Sequence, residues 1–144
     1  MEIKIKKLHP DAVIPKQGTS GSAAFDLTLI GKDIIARHPD GSNLVLYHTG
    51  IAVEIPPGYV GLLFPRSSIY KAHARLTNGV GVIDSDYRGE VMAVFDEYAQ
   101  ENCYGFGDRF AQLMIVPVPG VTYVETDELS ETSRGAGGYG STGR

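Results

Sequence analysis

Cysteine is nearly absent: Cys103 is the only one in 144 residues, which excludes an intramolecular disulfide framework. The chain also lacks any apolar run near the roughly 20 residues of a membrane helix. Its first residues, MEIKIKKLHP, lack the apolar stretch of a signal peptide, so no membrane association and a cytoplasmic setting are expected. An excess of either charge is missing too. Thirteen Lys and Arg against seventeen Asp and Glu leave a net charge of −4, which disfavours a stable nucleic-acid-binding surface. His9, His38, His48 and His73 form no pair at metal-ligand spacing, so no tightly bound zinc is expected. No internal repeat of fixed period is present.

What is present is an ordinary apolar share, 42%, and an excess of glycine, 18 residues where about 7% is usual. Length and composition suit one domain able to bury a core without staples. The glycine content argues against a helical bundle, and the apolar content argues against disorder.

Most readable segments are short, β-branched and bounded by turns. They are Ile3 to Leu8, Ala24 to Ile30, Leu44 to Tyr47, Ile51 to Ile55, Tyr59 to Phe64, Val80 to Ile83, Glu90 to Phe95, Ala111 to Pro117 and Val121 to Glu125. Turn signals separate them at Gly18 to Gly21, Pro39 to Asn43, Pro56 to Gly58, Tyr87 to Gly89 and Pro119 to Gly120. The pattern predicts an all-β antiparallel sandwich, jelly roll or barrel. Lys4, Lys6 and Lys7, interleaved with Ile3, Ile5 and Leu8, fit the wet face of an edge strand. One short helix is predicted through Ile69 to Ala74, capped by Ser67 or Ser68. Residues 36 to 43 are expected to form a surface loop.

The chain divides into a β domain over 1–128 and a mobile arm over 129–144. After Leu129 no aliphatic residue larger than Ala136 remains, and five of the last ten residues are glycine. Flexible amides beside Arg134, Ser141 and Thr142 supply the parts of a phosphate clamp. GAGGYG at 135–140 satisfies GxGxxG, but no strand precedes it and no helix follows, so it is not a dinucleotide fingerprint. Gly140 stands where a Walker A lysine would precede Ser141.

The densest chemistry is NGVGVIDSDYRGE, Asn78 to Glu90, which is expected to form a β-hairpin. Gly79 and Gly81 would let its amides approach a planar ligand edge. Asp84, directly after Ile83, is placed to be partly desolvated and to act as a base toward water. The plainer alternative is that Asp84 and Asp86 stabilise the turn and that Arg88 pairs with one of them. FPRSSIYK sets Arg66, Ser67 and Ser68 at a strand-to-helix junction, a seat for phosphate or simply a cap. Asp26, within apolar GSAAFDL, needs a cation, a water network or an arginine as partner. GDRFAQL supplies Asp108, Arg109 and Gln112 at the start of a late strand.

In order, GSAAFDL, PRSSIY, NGVGVIDSDYRGE, GDRFAQL and RGAGGYGSTG resemble the five signature motifs of the trimeric dUTPase family. TGIAVEIPPGYVGL resembles the family as well, and the likeness covers about positions 13 to 144. The PRSS form is similar to phage or viral members, for which the compartment would be the host cytoplasm.

The resemblance implies a jelly-roll homotrimer with active sites shared between subunits, hydrolysing dUTP to dUMP and pyrophosphate with Mg²⁺. Such activity limits uracil incorporation into DNA and supplies dUMP for thymidylate synthesis. By resemblance, Asp84 is the base that activates water for attack on the α-phosphorus, and Asp26 supports the metal's water shell. Asn78, Gly81 and Met92 would meet uracil, Tyr87 the deoxyribose, and Tyr139 would stack on the base. Arg66, Ser67, Ser68 and Gln112 would contact phosphate, while Arg134, Gly140, Ser141 and Thr142 would clamp the γ-phosphate. Ala24, Ser68 and Tyr139 depart from the commoner glycine, glycine and phenylalanine. Two rivals stand beside this reading: a dCTP deaminase-like enzyme, with Glu90 as its glutamate, and a non-catalytic nucleotide-binding trimer that serves a regulatory role.

Overall fold

The computed structural model of the chain describes residues 1–99 and 101–143. Among the described residues nine strands form two antiparallel sheets: β1 (Lys4–Lys7), β2 (Phe25–Thr28), β3 (Gly31–Arg37), β4 (Asn43–Glu54), β5 (Tyr59–Pro65), β6 (Ala74–Leu76), β7 (Gly81–Ile83), β8 (Glu90–Glu97) and β9 (Arg109–Pro117). One sheet has the order β1-β4-β8-β6 with β3 also on β4, and the other has the order β2-β9-β5-β7. The all-β expectation is met.

The first sheet is organised by β4. Its first half pairs with β3 and its end with β1, while β8 runs along the opposite edge. The two segments expected there, Leu44 to Tyr47 and Ile51 to Ile55, are therefore one strand. They are joined through an irregularity between His48 and Ala52, where Gly50 adopts φ +65°. A Cβ at Gly50 would lie 2.5 Å from Ile30 Cδ1, so glycine is required there by conformation and by space. Val45 and Tyr47 alternate inward, as period-2 order demands, and meet Phe95 and Phe110.

These aromatics are the centre of the core. Tyr47 stacks on Phe95 at 4.5 Å between centroids, and Phe110 meets both rings edge-on at 5.3 and 5.7 Å. The Tyr47 hydroxyl donates to Glu97, which also receives Lys32 Nζ at 2.5 Å. Burial and the adjacent Glu97 carboxylate both raise the pKa of Tyr47, so its hydroxyl stays a proton donor.

Several expectations need correction. Residues 67–74 are not one helix: a 3-10 turn, Ser67–Lys71, is followed by β6. No side chain caps that turn, since Arg66 holds the cap position. The strand expected over Val121 to Glu125 does not form. Among the described residues, those after Pro117 contain no strand, and Val121, Tyr123 and Val124 are 68%, 97% and 79% exposed. Among the described residues, its apolar alternation pairs with no strand. β7 and β8 do not form a hairpin either. β7 pairs with β5 and β8 with β4 and β6, so residues 84–89 cross from one sheet to the other. β3 and β6 escaped notice because β3 is mostly exposed and carries charge, and β6 has only three residues. The lysines of β1 do lie on an edge strand, where Lys4 pairs with Glu54 at 2.8 Å.

Phe95→Ala is expected to cost about 3–5 kcal/mol of stability, because a fully buried ring leaves a cavity that the rigid aromatic neighbours cannot fill. Urea denaturation at fixed protein concentration measures it.

Candidate active site

Antiparallel register brings three distant motifs into contact. In the second sheet Asp26 lies opposite Gln112, and Gln112 lies opposite Phe64, two residues before Arg66. Directly opposed residues share a face, and here it is the outer one, since Leu27, Leu63 and Leu113 point to the core. Arg66 donates from Nε to Asp26 at 2.8 Å, and Arg109 donates from Nη1 to the other carboxylate oxygen at 2.9 Å. The partner that Asp26 requires is thus a pair of arginines. Gln112 Nε2 donates to the Pro65 carbonyl at 3.0 Å and so steadies the approach to the Ser67–Lys71 turn. Arg66, Ser68 and Arg109 line a cavity of about 420 Å³ together with Lys71, Asn102 and Tyr104.

A second cavity, of about 380 Å³, opens where the chain crosses between the sheets. Asn78, Gly81, Asp84, Tyr87 and Met92 all line it, with Thr77, Val82 and Glu90. β7 is the edge of its sheet, so its second side carries backbone N–H and C=O groups free for a ligand. Tyr87 is fixed by its hydroxyl, which donates to the Glu90 carbonyl at 2.9 Å. Gly89 permits this: a Cβ there would overlap the Tyr87 hydroxyl and ring. Asp84 is exposed rather than partly desolvated, because the crossing segment stands at the rim. Arg88 bonds the carbonyls of Ser85 and Tyr87 at 2.7 and 3.0 Å, so the expected ion pair with Asp84 or Asp86 is replaced by backbone contacts.

The two cavities are far apart in one chain. From Asp26 to the position of Asp84 there are three strand spacings, about 14 Å, and from the Phe64 row to the Val60 row four residues, about 13 Å. Arg134, Tyr139, Gly140, Ser141 and Thr142 join neither cavity. They lie in successive turns, with Arg134 Nε on the Gly137 carbonyl at 3.0 Å, and Tyr139 is fully exposed. Among the described residues no three His, Cys, Asp or Glu side chains gather to hold a metal.

Sequence reasoning did not single out Lys71, Asn102 or Tyr104, which line the first cavity, or His48 and Gly50, which contact Glu90. Those contacts depend on pairing between remote strands and leave no local mark.

The sequence model of the dUTPase family matches residues 11–143. The chain belongs to the dUTPase family. It is 41% identical over 145 residues to a deoxyuridine 5'-triphosphate nucleotidohydrolase of Hydrogenobaculum sp., covering 99% of both chains. It is 43% identical over 149 residues to that of Escherichia phage T5, covering 98% of both. Among solved structures, the Staphylococcus bacteriophage 80alpha dUTPase with dUPNHPP aligns with a TM-score of 0.83 at 25% identity, covering 99% of both chains. A mutant of the dUTPase from phage phi11 of S. aureus, described with a structural Mg(II) ion, aligns with a TM-score of 0.73 at 24% identity, covering 91% of this chain and all of that one.

Gly89→Ala is expected to push the Tyr87 ring off the Glu90 carbonyl and weaken nucleotide binding about tenfold, the cost of overpacking one tight contact. Titration calorimetry with a non-hydrolysable dUTP analogue reads the change.

Proposed function

We propose that the protein hydrolyses dUTP to dUMP and pyrophosphate in sites shared between the subunits of a homotrimer. One observation carries this reading: a single cavity gathers Asn78, Gly81, Asp84, Tyr87 and Met92. The relatives named deoxyuridine 5'-triphosphate nucleotidohydrolase, similar over nearly their whole length, support the substrate.

The nucleoside end occupies that cavity. Uracil pairs with the free edge of β7 near Gly81 and with Asn78, and Met92 closes the far side. Cytosine in the same place would leave buried donors and acceptors unmatched, a larger penalty than loss of one apolar contact. Tyr87 lies against the deoxyribose and leaves no room for a ribose 2′-hydroxyl. Asp84 accepts a proton from water, whose oxygen bonds to the α-phosphorus as the bond to the bridging oxygen breaks and pyrophosphate departs. An exposed carboxylate suits this role, since it is open to water.

Arg66, Ser67, Ser68 and Gln112 hold the phosphates. They lie too far from Asp84 in one chain to share a triphosphate with it, so a neighbouring subunit supplies them. The outer row Val82–Leu62–Met114, with Val82 65% exposed, is an apolar sheet face suited to subunit contact. Over its described residues, 129–143, the arm is exposed apart from Gly137, and it closes over a site on another subunit. Arg134, Gly140, Ser141 and Thr142 then grip the γ-phosphate and Tyr139 stacks on uracil.

The residues fit Mg²⁺ carried by the substrate's oxygens and by water rather than by a protein cage. Asp26, with each oxygen committed once to an arginine, keeps lone pairs for metal-bound water. Bound there, the ion would neutralise phosphate charge. The deaminase alternative would use Glu90, whose oxygens hold Gly50 N–H at 2.7 Å and His48 at 3.1 Å, and the relatives named as nucleotidohydrolases favour hydrolysis over it.

Release of pyrophosphate from dUTP, with dCTP and dTTP as controls, tests the reading; equal turnover of the three nucleotides would overturn it. Asp84→Asn is expected to retain nucleotide binding and lower kcat by at least about 10³-fold, the scale of a lost general base, in single-turnover assays. A chain ending at Ser133 is expected to remain folded by circular dichroism and to lose most of its activity.

A further inference from the structure

We propose that His48, on a strand outside the five motifs, is a positioning residue whose cationic form holds the nucleoside cavity in its binding shape. The inference rests on the assignment of that cavity to the nucleoside end of the substrate.

The imidazole lies between two carboxylates on two different strands. Nε2 is 2.9 Å from Asp33 Oδ2 on β3, and Nδ1 is 3.1 Å from Glu90 Oε2 at the start of β8. Only the imidazolium donates from both nitrogens at once. The other Glu90 oxygen accepts the Gly50 N–H at 2.7 Å, which the left-handed turn at Gly50 directs toward it. Glu90 is thus fixed from two sides, and its own carbonyl is the acceptor that fixes the Tyr87 ring. Both Glu90 and Tyr87 line the cavity, and His48 is the cross-strand partner of Met92, which lines it as well. A chain of direct contacts therefore runs from His48 to two walls of the cavity, although His48 does not line it.

The charged groups around the ring favour its protonation. Asp33 comes from β3 and Glu90 from β8; Lys32, beside Asp33, is engaged with Glu97, and His9, in the loop after β1, lies 3.6 Å from Asp11. Burial opposes the cation, but the hydrogen bonds and charges of Glu90 and Asp33 prevail and raise the pKa above its ordinary value. For a raised pKa, the contribution of the cation is complete below the ordinary histidine value and is lost as pH rises through the value in the folded protein.

The test is KM for dUTP against pH, with kcat and melting temperature recorded in parallel. In the wild type, KM is expected to climb by about fivefold as His48 deprotonates, the size of a partly transmitted charge-assisted hydrogen bond, with kcat changing less than twofold. His48→Gln should show the high KM at every pH, whereas His48→Arg, a permanent cation, should hold the low KM throughout. Asp33→Asn, at a mostly exposed side chain, should leave the fold intact and move the rise in KM to lower pH, since one stabilising charge is gone. KM profiles that coincide in wild type, His48→Gln, His48→Arg and Asp33→Asn would overturn the role of His48 while leaving the cavity assignment standing. Unchanged KM in Asn78→Ala and Tyr87→Ala would instead overturn the cavity assignment, and the inference with it.

Discussion

The register of β9 between β2 and β5 is the constraint on which the site depends. Because Gln112 is opposite Asp26 on one side and Phe64 on the other, residues 26, 66 and 112 reach one surface patch although they span most of the chain. A slip of one residue would turn Gln112 into the core and bring Ala111 or Leu113 to the outer face. The buried partners Leu27, Leu63 and Leu113 enforce the register, so hydrophobic burial is what places the polar chemistry. The same sheet separates that patch from Asp84, and this separation makes a site assembled from several chains the natural reading of the geometry.

Charge is distributed in two ways across the surface. At Asp26, two guanidinium groups converge on one carboxylate, leaving a local excess of positive charge beside the Ser67–Lys71 turn. At His48 the balance is reversed, with two carboxylates on one imidazole. The first arrangement favours a polyanion near it, and the second ties strands together at the edge of a pocket. Neither pair is deeply buried on both sides, so solvent screening keeps their direct share of stability small, and their weight is in orientation.

The strands with clear alternation and flanking turns, such as β5 and β9, were legible in the sequence, and so was the glycine-rich terminus. The sequence of Asn78 to Glu90 carries the marks of the chemistry but suggests a hairpin that does not form. Its two strands have the right spacing for one, and only the tertiary choice of partners, β5 for Gly81–Ile83 and β4 with β6 for Glu90–Glu97, sends them to separate sheets. Val121 to Glu125 shows the opposite case: the local pattern of a strand is present, but the segment pairs with no strand among the described residues. The contacts of His48 and Gly50 leave no sign in the sequence, because their importance lies in what faces them from β3 and β8, about forty residues away in the case of Glu90.

The stretch from Val118 to Ser133 has a consequence for how fast the terminus can work. Sixteen residues without strand pairing, with glycine only at Gly120, link β9 to the glycine-rich terminus as a tether. A segment held by such a tether is present near its target at a millimolar effective concentration, so weak, quickly broken contacts suffice to keep it engaged. Tight docking would hold product in place. Under the closure proposed above, tethering would instead separate occupancy from grip, and let a cover be present for most of the cycle yet lift without a large barrier.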